Sequence, residues 1–104
     1  GHYNTDLGNS LATFARDQLG TVDRRTTVII LGDGRNNYND PNLRDFEAIK
    51  RRARRVVWFN PENPRMWGTG DSDMPKYVPL CDAVHRVSNL RELVAAVDSL
   101  FTRR

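Results

Sequence analysis

The six residues Thr26-Thr27-Val28-Ile29-Ile30-Leu31 are β-branched or apolar without alternation, and they stop at once on Gly32-Asp33-Gly34. A strand that is apolar on both faces must be covered on both, which is the condition of a strand in a parallel sheet with helices on its two sides. The rest of the chain follows that pattern. Leu7, Leu11, Phe14, Ala15 and Leu19 recur at helical spacing behind a cap at Thr5 or Asn4, with Gly20 as a stop, and predict a helix over residues 6–19. Asp40 as N-cap with Pro41 in the first turn, and Leu43, Phe46, Ile49 and Ala53 along one face, predict a second helix over 41–54. Val56-Val57-Trp58-Phe59 is a second apolar strand, broken by Asn60-Pro61. Residues 83–87 form a short third strand. Asn89 and Glu92 make a capping box for a last helix over 90–101, lined by Leu90, Leu93, Val94, Val97, Leu100 and Phe101.

The order helix, strand, helix, strand, loop, strand, helix is α/β: three parallel strands with flanking helices, part of a Rossmann-like sheet. Between 60 and 80 no period persists, only four prolines and the turn Gly68-Thr69-Gly70-Asp71, and a loop this long is usually functional or mobile. The chain opens with a helix whose incoming strand is missing, and strand 26–31 is too apolar for an exposed edge. It therefore reads as part of something larger, with that edge expected to be covered by another chain or by rearranged helices. Gly1-His2 reads as a cloning remnant, leaving residues 3–104 for the fold.

Composition narrows the function classes. At 104 residues there is room for one core. The single cysteine, Cys81, rules out an internal disulfide and favours a reducing compartment, the cytoplasm by default. No apolar run approaches the roughly 20 residues that span a bilayer. A net charge of +3 is too small to argue for nucleic acid, and the run Arg51, Arg52, Arg54, Arg55 is explained by the negative end of the second helix and a solvated face. His85 lies in a short strand without a catalytic partner, and Asp82 beside Cys81 disfavours a thiolate nucleophile. Trp67 and Tyr77 in the long loop are either a partner surface or a lid folded over the core, with packing the better reading for Trp67.

In open α/β sheets ligands bind beyond the carboxyl ends of the strands. Asp33 leaves an apolar strand between two glycines, so its carboxylate either points into that crevice or caps the following amides as a turn residue. Thr5 either caps the first helix or offers its hydroxyl to a cation or phosphate there. Both are oxygen donors of the type Mg²⁺ accepts, and two are too few to hold it alone.

Asn4-Thr5-Asp6-Leu7-Gly8, then Val28-Ile29-Ile30-Leu31-Gly32-Asp33-Gly34 some twenty residues on, resembles the second half of a von Willebrand factor A (VWA) domain. Arg54-Arg55-Val56-Val57-Trp58-Phe59-Asn60-Pro61-Glu62 with Trp67-Gly68-Thr69-Gly70-Asp71-Ser72, Met74-Pro75, Tyr77 and Pro79-Leu80-Cys81-Asp82 resembles its CoxE-like bacterial family. The tryptophan-containing loop is the most specific part. The resemblance implies a non-enzymatic protein-interaction module with a metal-ion-dependent adhesion site, Thr5 and Asp33 being two of its Mg²⁺ positions. It also implies a MoxR-type AAA+ ATPase and a client metalloenzyme as partners. The Asp-x-Ser-x-Ser motif on which that site is founded does not occur in the chain, so only the C-terminal portion of the domain is expected, without tight metal binding of its own. The rival from another class is an α/β enzyme fragment using Gly32-Asp33-Gly34-Arg35 for a nucleotide or phosphate, although this is not a phosphate-cradling pattern.

Overall fold

A computed structural model of the chain describes residues 7–102. Four helices and three strands appear in chain order as α1 (Leu7–Gln18), β1 (Thr27–Leu31), α2 (Leu43–Arg52), β2 (Arg55–Asn60), α3 (Met74–Tyr77), β3 (Ala83–Arg86) and α4 (Leu90–Thr102). The strands are parallel in the order β1-β2-β3, so the expected α/β architecture is the one adopted.

Register decides which side chains share a face. Val28 stands beside Val56, and Ile30 beside Trp58, which neighbours Val84. These residues meet Leu11 of α1, Phe46 and Ile49 of α2, and Met74 and Tyr77 of α3 in a single core. Phe46, Trp58 and Tyr77 are wholly buried and stack on one another, with ring centroids 4.9 to 6.0 Å apart. Aromatic edge-to-face contacts of this kind add to the area they remove from water. On the opposite face Val57 and Phe59 are buried and His85 lies over Phe59. Leu93 of α4 and Leu31 line a shallow hollow with Phe59 there, which puts α4 on the second face.

Two expectations need correction, and one open alternative is decided. The second helix begins at Leu43, not at 41: Asp40 Oδ1 accepts the N–H of Asn42 in a local turn, and Asn42, at φ 52°, is the true N-cap. Residues 60–80 are not structureless; they hold two single 3-10 turns, Pro64–Met66 and Val78–Leu80, and the one-turn α3. Tyr77 belongs to the core and is no partner surface, while Trp67 packs against that core and donates its indole N–H to Glu62 O. The apolar stripe of α4 forms its helix as read, with Asn89 Oδ1 capping Glu92 N–H and Glu92 reaching back to Ser88. None of its residues is buried, however, and Leu90, Val94 and Phe101 are exposed.

Candidate functional site

The carboxyl ends of β1 and β2 open on a cleft of about 320 Å³ lined by Leu7 and Ser10 of α1, Leu31 to Gly34, and Pro61. Asp33 stands in it, half-buried. Its Oδ1 accepts the N–H of Arg35 at 2.9 Å, as a turn-forming Asp does. Among the described residues no hydrogen bond or ion pair engages its Oδ2. The turn-forming reading of Asp33 is thus met through Oδ1, and the residue lines the cleft. Asn60, fully buried at the end of β2, donates from Nδ2 to the carbonyl of Asp33, tying the two strand ends together beneath the cleft.

Arg35 turns away from the cleft and holds the long loop. Its guanidinium makes a two-pronged pair with Glu62 at 2.9 and 3.1 Å, a third bond to Asp71 Oδ1 at 2.9 Å, and further bonds to Thr69. Such planar, charge-assisted pairing is the strongest class of side-chain hydrogen bond. It raises the guanidinium pKa, and the Arg35 hydrogen bond in turn pulls the Asp71 carboxyl below the ordinary carboxylate value.

Asn36, wholly buried, joins three elements: its Oδ1 accepts the N–H of Gly8 at 2.7 Å, and its Nδ2 donates to Asp73 Oδ2 and Tyr77 Oη. Asn42 Nδ2 donates to Gly8 O, and Tyr77 Oη donates to Pro41 O. The first turn of α1 is therefore fixed over the β1 turn by side chains distant in sequence. A strand-loop-helix unit with one carboxylate at its mouth, packed under a tryptophan loop, is the arrangement to be matched. The family model of the VWA domain containing CoxE-like protein matches residues 2–94. The chain belongs to that CoxE-like VWA family. No match was found among curated proteins or solved structures.

In this CoxE-like VWA chain, Asp33 lies in the cleft as expected, whereas Thr5 falls outside the described residues. No group of three or more His, Cys, Asp or Glu that could hold a metal ion occurs among the described residues. Among the described residues the cleft offers one carboxylate, Asp33, and the Ser10 hydroxyl, which does not fit a self-sufficient Mg²⁺ site: the ion demands six oxygens in near-octahedral array and keeps several as water. Cys81 is half-buried, its thiol donating to Tyr77 O, and burial pushes it up to about 12, which removes it from nucleophilic chemistry. No helix among the described residues is long and apolar enough to cross a membrane. Sequence reading passed over Arg35, Asn36 and Asn60 as site-builders. The available signal was their place at a strand end or within five residues of one.

Proposed function

We propose that this chain is a protein-interaction module of a CoxE-like VWA protein, in which Asp33 supplies one oxygen to a Mg²⁺-dependent adhesion site and the intact domain supplies the rest. The observation that carries this reading is Asp33 Oδ2, unengaged among the described residues and set in the cleft beside the first turn of α1. That helix end carries partial positive charge and favours an acidic group arriving from outside. In the intact domain Asp33 would be one of the residues holding Mg²⁺, whose charge would supply affinity for an acidic side chain of the partner, and the chain binds without turning over a substrate. The partner is a MoxR-type AAA+ ATPase acting in the maturation of a metalloenzyme, in the cytoplasm. Thr5 is the second proposed donor.

Titrating Mg²⁺ and the ATPase against the intact domain and its Asp33→Ala variant tests the proposal. Loss of one metal oxygen should weaken Mg²⁺-dependent binding by at least about tenfold, with the circular-dichroism spectrum unchanged. Equal affinity of the variant and its parent would remove the adhesion site from the account.

A further inference from the structure

Two turns that are distant in sequence meet at the amino ends of the strands. Arg24 and Arg25 lie in the turn that leads into β1, and Arg51, Arg52, Arg54 and Arg55 cross from the last turn of α2 into β2. Thr26 O accepts the N–H groups of Arg54 and Arg55, Thr27 stands beside Arg55 in register, and Arg52 Nε donates to Val22 O at 3.0 Å. Six arginines therefore share one end of the sheet. Because β2 is the middle strand, with β1 and β3 on its two sides, this end is built by described elements and does not depend on what adjoins the far side of β1.

None of the six makes an ion pair among the described residues, whereas Arg16, Arg35, Lys50 and Lys76 each do. Five of them are exposed, and Arg55 is half-buried with its Nε covered and bonded to no described group. Asp23, the acidic residue of the same turn, uses Oδ1 to accept the Arg25 N–H and the Thr26 hydroxyl. The negative end of α2 accounts for Arg51 and Arg52 in its last turn. A helix dipole fades within that turn, so it does not account for Arg54, Arg55 or the pair before β1.

We propose that this arginine end is a docking site for an acidic segment of a partner protein, separate from the Asp33 cleft at the other end of the strands. A guanidinium takes a carboxylate in two-pronged, planar pairing, which suits arginine rather than lysine to the task. Charge elsewhere decides the class of partner. The chain has sixteen Lys and Arg against thirteen Asp and Glu; without these six arginines ten remain against thirteen, so the remainder is net acidic. A short acidic segment stays on the patch, whereas duplex nucleic acid, stiff over far more than the width of a domain, runs on past a remainder that repels it. Single strands need exposed aromatic faces for their bases, and Trp58 and Phe59 of β2 are buried. No exposed large apolar residue lies in either turn, so a lipid surface has nothing to take up.

The test is fluorescence anisotropy of a labelled oligo-glutamate peptide titrated with the full chain, with EDTA present so that no Mg²⁺-dependent contact contributes. Salt is held at about 0.1 M, where charges more than about 10 Å apart are largely screened. Saturable binding is expected. Arg25→Glu combined with Arg54→Glu, both at exposed positions, should weaken it at least about tenfold; should that pair fail to fold, Arg24→Glu with Arg51→Glu decides. Arg44→Glu with Arg65→Glu makes the same change of net charge away from the patch and should leave affinity within about twofold of the parent. No saturable binding by the parent, an equal loss from the two kinds of variant, or tighter binding of duplex DNA of the same total charge or of phosphatidylserine vesicles would each overturn the proposal.

Discussion

Gly8 and Asn36 show how much can rest on one small residue and one amide. A Cβ on Gly8 would run into the carbonyl oxygen of Asp40, which is backbone and has little room to yield. Gly8→Ala is therefore expected to lower stability by about 1–3 kcal/mol through overpacking, read as a shift of the urea midpoint with unchanged slope. Asn36→Asp keeps the shape but replaces the Nδ2 donor to Asp73 with a second carboxyl, and should cost at least as much at neutral pH. Asp71 makes a separate pH prediction. Its carboxyl sits below the ordinary 3.8 when folded, chiefly through the Arg35 hydrogen bond, so the folded chain binds fewer protons there than the unfolded chain does. That contribution is whole above the unfolded value and is lost as pH falls through the folded one. Acid titrations of the parent and Asp71→Asn should therefore converge as pH falls through the lowered folded value and diverge toward neutrality. Nothing in composition or periodicity marks these residues, because their partners lie 28 to 41 positions away in the chain. Asp33 was legible because it ends an apolar run and needs no distant partner to be placed.

At the scale of elements, the strands and the two long terminal helices follow from apolar spacing alone, since burial of one face is what stabilises them. The start of α2 does not. Asp40 and Pro41 carry the ordinary signs of a helix opening, yet Asp40 closes a tight turn and Pro41 offers its carbonyl to Tyr77, so tertiary contacts move the first turn to Leu43. The tryptophan loop escaped sequence reading for a related reason. It has no period because its order comes from one guanidinium gripping Glu62, Thr69 and Asp71. Arg35→Ala should release it while leaving the sheet intact: limited proteolysis is expected to cut within residues 60–73 several times faster, with the far-ultraviolet spectrum barely altered. Arg35→Lys should restore little, because an ammonium lacks the two-pronged geometry.

For the whole molecule, the two faces of the sheet are unequal. One is sealed by α1, α2 and α3 over an aromatic cluster, and the other carries α4 with no residue fully buried. Phe46→Ala should cost about 3–5 kcal/mol as a cavity in a fully packed site, whereas Val94→Ala, on an exposed position, should fall within about 0.5 kcal/mol of the parent. Hydrogen exchange should follow the same division, with the amides of β2 protected longest and those of α4 exchanging first. The fold class was readable at this scale because alternation of strands and helices leaves few ways to build a sheet. The inequality of the faces was not, since the stripe on α4 is as regular as any in the chain. Cys81 lies among the groups that the sealed face protects, beside α3. With burial pushing its thiol well above the ordinary cysteine value, Cys81 is scarcely ionised at neutral pH while folded. An alkylating reagent therefore reacts almost solely with chains that have momentarily opened around α3. The labelling rate of this one sulfur becomes a clock for those openings, readable by mass spectrometry without any engineered probe.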